Sequence, residues 1–281
     1  MEKLRLMTNN QWRCDENQPE WAILEEDCSA SARAKGFARV FCELDPDVVG
    51  LQEVSPLMLA ELAQNLSEKN KNYAFLWGAD TPIAYKPEKL ELVNSFFAYH
   101  DADIPGLVGE FNNVKTKSYT VAIFRTKASG KQFVFASTHL WWMDSDPESP
   151  YYQAGSDEAR EYQLGKVLDC VEAFARQYNC PAVIVGDFNA VYNSQALRAA
   201  FGRGFLHGHD IATEYADQTN GFHYCYADGY KPYFPEDFSQ SIDHILFKYI
   251  PENSVLRFDR YYPNYYMPLS DHFPAFVDVK F

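Results

Sequence analysis

Apolar and polar residues follow two spacings along this chain, and each spacing predicts a different secondary structure. Apolar residues three to four positions apart predict amphipathic helices at 31–44, 55–68 and 157–178. Shorter runs rich in β-branched and aromatic residues, bounded by turn-forming residues, predict strands. The predicted strands are 4–10, 47–53, 73–77, 82–86, 90–97, 118–126, 132–140, 183–186, 241–247 and 275–279. Many strands mixed with few helices indicate an α/β fold in which two sheets pack together with helices outside them.

One arrangement of elements occurs twice in the chain. In residues 37–53 and again in 174–187, a helix is followed by a proline, a buried strand and an acidic residue. The two acids are Glu53 and Asp187. This repetition suggests two similar halves that face each other. No linker or low-complexity stretch interrupts the chain, so we expect one domain over residues 1–281.

The stretch Val183–Ala190 joins a buried strand to two polar residues. The apolar run stops at Gly186, and Asp187 and Asn189 follow one residue apart, so their side chains point the same way in an extended chain. The carboxyl end of a strand is the usual place for active-site groups in α/β proteins. The alternative is an Asx turn, in which Asp187 only bonds its own backbone. Taken alone, the octapeptide favours the turn.

Other strands carry polar residues at comparable places. Polar clusters stand at one end of five predicted strands, and Asp271 with His272 precedes a sixth. If the strands form two facing sheets, these groups can meet along one rim. The clusters are Asn9 with Asn10, Glu53, His139, Asp187 with Asn189, and Asp243.

The acidic residues in these clusters would need a counter-ion if they meet. Carboxylates repel one another, and removing them from water is costly unless a cation lies among them. Oxygen ligands from Glu, Asp and Asn favour a hard ion, Mg²⁺ or Mn²⁺, over zinc. Mg²⁺ suits a site with few protein carboxylates, because substrate phosphate and water complete its shell. The clusters therefore predict a Mg²⁺ site, with Mn²⁺ as the alternative.

The net charge narrows the range of partners. The 281 residues include 25 basic and 39 acidic ones, for a net charge of −14, and no run of closely spaced basic residues. Proteins that bind long nucleic acids use Lys and Arg to displace counterions from phosphates. The composition therefore argues against a processive or non-specific nuclease. It remains compatible with a small anionic substrate held by a metal.

The sequence contains no candidate membrane span. Hydrophobic residues make up 47% of the chain, but no apolar run approaches the roughly 20 residues that cross a bilayer. Residues Met1–Leu6 alternate charge and leucine and lack the apolar region of a signal peptide. We expect a monomer, cytoplasmic by default, or secreted if a signal peptide has been removed.

Six motifs in order make the chain resemble the endonuclease/exonuclease/phosphatase superfamily, which has the deoxyribonuclease-I-like fold. The resemblance runs nearly from end to end, and each motif falls on a predicted strand edge. It implies a four-layer α/β sandwich and metal-dependent cleavage of a phosphoester. The motifs are Thr8-Asn9-Asn10, Leu51-Gln52-Glu53, Ser137-Thr138-His139-Leu140, Gly186-Asp187-Phe188-Asn189, Ile242-Asp243-His244 and Ser270-Asp271-His272.

The resemblance also implies roles for the residues of the motifs. Glu53 would bind the metal, helped by Asn10 and Asp271. Asp187 would orient or deprotonate the attacking water, with Asn189 beside it on the phosphate. The remaining implied roles are donation to a phosphoryl oxygen by His139, and acid/base or phosphate contact by His272 paired with Asp243.

Two features of the chain leave alternatives open. The first motif of the superfamily commonly reads Thr-Tyr-Asn or Thr-Trp-Asn, whereas Asn9 stands here at the aromatic position; the spacing favours Asn10 as the residue facing the site. Superfamily members often carry a cationic or tyrosyl phosphate contact in mid-chain. Lys117 and Arg125 are the candidates for that contact.

The loop 141–156 contains Trp141, Trp142, Tyr151 and Tyr152 directly after His139. These rings could stack on a substrate base or sugar, or pack beneath the loop as a small core. We give the two interpretations equal weight. The histidines outside the motifs are interpreted as structural, as is His244, because it alternates to the opposite side of its strand from Asp243.

The leading hypothesis is a Mg²⁺-dependent phosphohydrolase acting on a small or exposed phosphoester by metal-assisted, in-line water attack. A nucleotide, a sugar or inositol phosphate, or a lipid headgroup would suit the acidic charge and the aromatic loop. The alternative is a nuclease such as a 3′-exonuclease on single-stranded RNA or DNA. Paired carboxylates with Trp and Tyr also describe a carbohydrate-active enzyme, although glycosidases rarely need these histidines or a metal.

Overall fold

Two β-sheets packed face to face form the centre of the molecule, and helices cover the outer face of each. This computed structural model describes residues 3–13, 15, 16, 27–215 and 241–281 in full, and the backbone alone of 222–226 and 229–233. The helices are α1 (Ala30–Leu44), α2 (Pro56–Glu68), α3 (Ser156–Tyr178), α4 (Gln195–Gly202) and α5 (Gly208–Ile211). The strands are β1 (Lys3–Asn10), β2 (Val48–Gln52), β3 (Ala74–Leu76), β4 (Ile83–Tyr85), β5 (Leu90–Tyr99), β6 (Ser118–Thr126), β7 (Gln132–His139), β8 (Ala182–Asp187), β9 (Leu206–His207), β10 (Glu214–Tyr215), β11 (Phe222–Tyr226), β12 (Gly229–Tyr233), β13 (Asp243–Lys248), β14 (Val255–Arg260) and β15 (Ala275–Lys280).

Both large sheets are mixed. The first has the strand order β10-β14-β15-β1-β2-β4-β3 and the second the order β5-β6-β7-β8-β13-β9, while β11 and β12 pair as a hairpin. The parallel pairs β1–β2 and β7–β8 lie inside the two sheets. Each pair includes the strand of one predicted helix–proline–strand–acid unit, β2 in the first sheet and β8 in the second. The predicted α/β sandwich of two mixed sheets is confirmed.

Alternate residues along each strand enter different cores, as the period of two requires. In β8, Val183 and Val185 lie between the sheets, whereas Ile184 packs beneath α3 with Val167. In β1, Leu6 lies between the sheets, and Met7 joins the core beneath α1 and α2. The strand pattern therefore decides which polar residues point into the space between the sheets.

Local capping sets the ends of the helices. The Ser55 hydroxyl accepts the Met58 N–H at 3.0 Å, and Pro56 occupies the first position of α2. Helix α1 ends at Asp45, which has a left-handed φ of +48°. Within the ranges that the structure describes, none of the helices combines the length and the apolar character that crossing a membrane requires.

Candidate active site

Side chains alternate between the two faces of a strand, and this alternation places four predicted site residues on the inner faces of the sheets. Asp187 lies on the same face of β8 as Val183 and Val185, whose side chains fill the space between the sheets. By the same rule Asn10, His139 and Asp243 point inward from β1, β7 and β13. The pairing brings their strand ends together, because Asp187 lies opposite both His139 and Asp243.

A buried glutamine joins the two sheets beside this cluster. The Thr8 hydroxyl donates to Gln52 Oε1 at 3.1 Å, and Gln52 Nε2 donates to Ser137 Oγ at 3.0 Å. Ser137 Oγ in turn donates to the Leu51 carbonyl at 2.9 Å. The sheets approach closely here, since a Cβ on Gly50 would lie 2.4 Å from Val185 Cγ2. These contacts hold the two acid-bearing strand ends, at Glu53 and Asp187, in a defined relation.

Glycine is required immediately before Asp187. Gly186 has φ +156°, and a Cβ at this position would stand 2.0 Å from the Thr138 carbonyl oxygen. The chain then turns back on itself: the Asn189 N–H donates to Asp187 Oδ1 at 2.8 Å, and the Asn189 amide donates to the Leu140 carbonyl at 3.1 Å. This is an Asx turn. The turn does not exclude the active-site interpretation, because Oδ1 of Asp187 makes the turn and Oδ2 is left for the cluster.

Asp187 Oδ2 is the centre of the cluster. Asn10 Nδ2 donates to it at 3.0 Å, and the Nε2 atoms of His139 and His272 lie 3.5 and 3.7 Å away. Burial raises the pKa of Asp187; His272 opposes this shift and nearby Asp243 adds to it, and the net pKa is about 6. A carboxylate with a pKa near neutrality suits proton transfer.

His272 is paired with Asp243 as predicted. Its Nδ1 lies 2.7 Å from Asp243 Oδ2. Burial alone would lower the pKa of His272, but the carboxylates of Asp243, Asp187 and Asp271 outweigh it and hold that pKa well above the ordinary value. These carboxylates therefore favour the protonated form of His272. Arg260 supports the pair from behind by donating to the Asp243 carbonyl at 3.1 Å.

The pKa of His139 is shifted in the opposite direction from that of His272. Burial lowers the pKa of His139 well below its ordinary value, and the charge of Lys117 lowers it further. The Lys117 ammonium donates to His139 Nε2. Because this nitrogen accepts a hydrogen bond from Lys117, the predicted donation from His139 to a phosphoryl oxygen does not fit the geometry. Lys117 is the cationic donor at this position, so one of the two mid-chain candidates lies in the cluster.

Glu53 and Asn10 lie at the open side of the cluster. Glu53 follows β2 with a left-handed φ of +57°, and its Oε2 accepts the Arg13 N–H at 3.0 Å. Asn10 Nδ2 also donates to Glu53 Oε1 at 3.3 Å, while Asn10 Oδ1 accepts the Trp12 N–H at 2.9 Å. Asn10 thus contacts the two acids through its nitrogen rather than offering its oxygen to a cation. Asn9 points to the outer core, where it donates to the Tyr266 hydroxyl at 2.6 Å.

Asp271 completes the set on a loop that is tied to the end of β1. Ser270 Oγ donates to the Asn10 carbonyl at 2.8 Å and accepts the His272 N–H at 3.1 Å. The fully buried Arg33 donates from Nη1 to the carbonyls of Gln11 and Leu269, both at 2.7 Å. Burial raises the pKa of Asp271 to about 7, and Glu53 contributes in the same direction.

Of three predicted substrate contacts, Trp142 lines the cleft, whereas Trp141 and Arg125 do not. Arg125 lies at the opposite end of β6 from Ser118, which pairs with His139, and forms an exposed ion pair with Glu91 at 2.9 Å. The prediction for Arg125 was wrong, because strand position separates it from Lys117 on the same hairpin. Trp141 is buried as core. Trp142 is 46% exposed and lines the cleft beside the cluster, which has a volume of about 430 Å³.

The sequence profile of one protein family covers most of this chain. The endonuclease/exonuclease/phosphatase family matches residues 24–272. The chain belongs to this family. Its members are hydrolases of phosphoester bonds that depend on a divalent metal. The resemblance drawn from the six motifs is confirmed, and the glycosidase alternative has no support from the comparisons.

Three known proteins show how this endonuclease/exonuclease/phosphatase chain relates to others. Protein angel of Drosophila melanogaster is 25% identical over 195 residues, which are 64% of this chain and 49% of that protein. The chain thus spans about half the length of this curated relative. A mannosyl-6-phosphatase of Bacteroides thetaiotaomicron superposes with a TM-score of 0.73 at 21% identity, covering 99% of this chain and 100% of that one. D. rerio TDP2 in complex with a single-strand DNA product gives 0.65 at 18% identity, covering 100% of both chains. At these identities the structural likeness establishes the fold alone.

The residues of this family member fit a divalent cation. Ligand atoms of Glu53, His139 and Asp187 lie within 4.8 Å of one another. The raised pKa values of Asp187 and Asp271 express the cost of burying carboxylates without a sufficient counter-charge. A hard cation among these oxygens removes that cost. The donor set identifies the class of ion and does not select Mg²⁺ over Mn²⁺.

The sequence interpretation missed an ion pair in the cleft lining and a buried arginine on α1. Arg13 and Asp80 form an ion pair in the cleft lining, and burial raises the pKa of Asp80 to about 6 although Arg13 opposes the shift. Nothing in the local pattern marks a turn residue such as Asp80. Arg33 could have been noticed, because it stands four residues before Phe37 on the apolar stripe of α1. A charged residue on a buried stripe indicates a specific buried partner.

Proposed function

We propose that this protein is a Mg²⁺-dependent phosphohydrolase that cleaves a small or exposed phosphoester by attack of water. One observation carries the proposal: a buried carboxylate oxygen, Asp187 Oδ2, lies within 3.7 Å of the Nε2 atoms of two buried histidines, His139 and His272, at the base of the cleft. The pKa is lowered for His139 and raised for His272, so the two neighbours of Asp187 are suited to different roles. Asp187 can accept a proton while His272 stabilises an anion beside it.

Asp187 is the proposed acceptor of the proton from the attacking water. Its Oδ1 is held by the Asn189 N–H, which leaves Oδ2 oriented into the cluster. A pKa of about 6 keeps Asp187 ionised at neutral pH and still basic enough to take a proton. Asn10 donates to the same oxygen and keeps it in place.

Positive groups around Asp187 are proposed to bind the phosphoryl oxygens. The imidazolium of His272 is held in orientation by Asp243, and the Lys117 ammonium lies beside His139. Both cations are buried, so their interaction with an anion is less screened than at the surface. Fixed donors of this kind stabilise the charge that develops on the oxygens during in-line displacement.

Glu53 and Asp271 are the residues proposed to hold the metal. Both line the cleft, and the Asn10 amide lies between Glu53 and Asp187. Mg²⁺ bound there would supply Lewis-acid polarisation of the phosphate and neutralise part of its charge. The protein itself would contribute the orientation of the ester and the removal of the proton.

A nuclease is the second candidate, since a structural neighbour, TDP2, is in complex with a single-strand DNA product. The exposed rings of Trp142 and Tyr151 could also stack on bases. The net charge of −14 weighs against it, because a long backbone would meet mostly repulsive charge. The first hypothesis is therefore preferred, and the mannosyl-6-phosphatase neighbour is in keeping with a small phosphorylated substrate.

A phosphoester screen tests this proposal. Sugar phosphates, nucleoside monophosphates, inositol phosphates, phospholipid headgroups, and single-stranded RNA and DNA are offered with Mg²⁺, with Mn²⁺ and with EDTA. We expect phosphate release from a small ester with Mg²⁺ and none with EDTA. Oligonucleotide degradation that exceeds every small-ester rate would replace the proposal by the nuclease, and activity that survives EDTA would remove the metal from it.

A further inference from the structure

The loop after β7 exposes two aromatic rings to solvent, and several contacts hold the loop in place. Trp141 anchors the loop, packing edge-on against Phe111 at 5.9 Å between ring centroids. Arg160 donates to the Met143 carbonyl at 2.7 Å, and the Asp144 N–H donates to the Tyr151 carbonyl at 3.0 Å. The loop is thus fixed by buried and hydrogen-bonded contacts on the side away from the cleft.

Trp142 and Tyr151 are the rings that this loop exposes. Trp142 is 46% and Tyr151 60% exposed, their ring centroids are 5.5 Å apart, and both line the catalytic cleft. Tyr152 is the next residue and is also exposed, but it is not part of the cleft lining. Large apolar rings that a rigid loop keeps at the edge of a reactive centre are suited to binding a ring of the substrate.

The Arg13–Asp80 ion pair supplies polar groups to the same cleft. The carboxylate of Asp80 is 3% exposed and the side chain of Arg13 is 46% exposed. Arg13 also donates its backbone N–H to Glu53, so the pair adjoins the proposed metal ligand. An acceptor and a donor side by side match the hydroxyl groups of a polyol, each of which both donates and accepts.

The charge of the cleft lining limits how many phosphates can enter. Four carboxylates line it against two basic side chains, so one divalent cation balances that difference and leaves no positive excess. A second or third phosphate would therefore meet no further positive group in the lining. The carboxylates are Glu53, Asp80, Asp187 and Asp271, and the basic side chains are Arg13 and Lys117.

We infer that this cleft takes a monophosphorylated sugar, whose neutral ring lies against Trp142 and Tyr151 and whose hydroxyls bond to Arg13 and Asp80. The inference rests on the proposed phosphohydrolase function. An aromatic face packs against the C–H face of a sugar, and the single phosphate reaches Lys117 and His272. Nucleoside polyphosphates and oligonucleotides carry more negative charge than this lining can neutralise.

The experiment compares a hexose 6-phosphate with methyl phosphate, a nucleoside monophosphate and a short oligonucleotide, using the intact protein with Mg²⁺. Tyr151→Ala and Trp142→Ala are the test variants, and Tyr152→Ala is the matched control. We expect each test variant to raise KM for the hexose phosphate about tenfold with little change in kcat. Neither should alter kcat/KM for methyl phosphate, which has no ring, and Tyr152→Ala should alter neither substrate.

Asp80→Asn tests the polar half of the subsite in the same assay. It keeps the shape of the side chain but weakens acceptance from a hydroxyl, so KM for the hexose phosphate should rise and that for methyl phosphate should not. A wild-type preference for the nucleoside monophosphate or the oligonucleotide over the hexose phosphate would overturn the inference. Equal losses in Tyr151→Ala and Tyr152→Ala would overturn it as well.

A binding measurement separates this inference from the proposed function. Calorimetric titration of the Asp187→Asn variant with hexose 6-phosphate needs no turnover. Binding that Tyr151→Ala weakens about tenfold in that background, and Tyr152→Ala does not, supports the subsite even if the wild type hydrolyses none of the esters. Absence of binding in a protein that hydrolyses other esters would reject the sugar subsite and leave the hydrolase proposal standing.

Discussion

His139 and His272 lie at almost equal distances from one carboxylate oxygen, yet their pKa values are shifted in opposite directions. Their Nε2 atoms are 3.5 and 3.7 Å from Asp187 Oδ2, and both rings are buried. The pKa of His139 is well below the ordinary value, and that of His272 is well above it. Burial acts on both rings alike, so the difference comes from their other neighbours.

Those neighbours are a cation on one side and an anion on the other. The Lys117 ammonium donates to His139, whereas the Asp243 carboxylate lies 2.7 Å from Nδ1 of His272. Burial disfavours a charged imidazole, and a cation adds to that effect, but a carboxylate in a medium of low polarity overcomes it. A single site can thus hold a neutral and a charged imidazole around one base.

The largest effect is expected from Asp187→Asn, which removes the carboxylate that both histidines share. The amide cannot accept the proton of the attacking water, so we expect kcat to fall by about 10⁴-fold. Steady-state hydrolysis of the best ester from the substrate screen measures the loss, and the thermal midpoint shows that the fold persists. More than a tenth of the wild-type activity would exclude Asp187 as the proton acceptor.

Asp243→Asn should break the comparison by making His272 resemble His139. Without this carboxylate, burial dominates and the pKa of His272 falls, so a neutral ring replaces the imidazolium. We expect kcat to fall by about 10³-fold. Proton NMR of the two rings in metal-free protein follows the change: the His272 signal should move and that of His139 should stay. An unchanged His272 titration would show that Asp243 does not set its charge.

Lys117→Met tests the other ring. Removing the ammonium should let the pKa of His139 rise, although burial keeps it below the ordinary value, and should cost a phosphate-binding cation. We expect about a 10²-fold loss of kcat/KM. Lys117→Arg, which keeps the charge, should recover part of that loss. If Lys117→Met and Arg125→Met reduced kcat/KM equally, the placement of Lys117 at the phosphate would be wrong, since Arg125 lies at the far end of the hairpin.

A third buried histidine sharpens the comparison, because His244 lies on the outer face of β13 and takes no part in the proposed chemistry. It donates to the Ala190 carbonyl at 2.7 Å, and burial lowers its pKa to about 4. The unfolded chain therefore binds a proton below about pH 6.5 that the folded chain does not. The contribution of His244 to the free energy of unfolding should be complete above about pH 6.5. It should be lost as the pH falls from about 6.5 to 4, which lowers the free energy of unfolding by roughly 3 kcal/mol.

Chemical denaturation at a series of pH values checks this expectation. His244→Gln keeps a donor for Ala190 but cannot titrate, so the free energy of unfolding should depend less on pH in this range. Its kcat at neutral pH should remain within about twofold of the wild type, since small changes away from the reacting groups cost little. A wild-type slope in the variant would assign the pH dependence to other groups.

Much of the architecture and half of the site could be predicted from local pattern. The predicted helices at 31–44 and 157–178 lie at Ala30–Leu44 and Ser156–Tyr178, and the hairpin arms at 118–126 and 132–140 lie at Ser118–Thr126 and Gln132–His139. Such segments are long and strongly periodic, so their local preferences agree with the final packing. The ends shift by a residue because capping contacts decide them.

The aromatic loop and the mid-chain cations show where local pattern fails. Trp141 and Trp142 are adjacent and chemically identical, yet one is 2% and the other 46% exposed. Lys117 and Arg125 lie on one hairpin, yet only Lys117 reaches the cleft. Which ring is covered, and which cation reaches the cluster, depends on elements distant in the chain.

The sequence by itself determined the two-sheet fold and the side of each strand on which Asn10, His139, Asp187 and Asp243 lie, because the alternation of side chains along a strand is a local property. Only the tertiary structure decided the charges of His139 and His272, the pairing of Arg13 with Asp80, and the openness of the cleft. Those properties depend on distances between segments far apart in the chain, and electrostatic energy follows distance in space rather than separation in sequence.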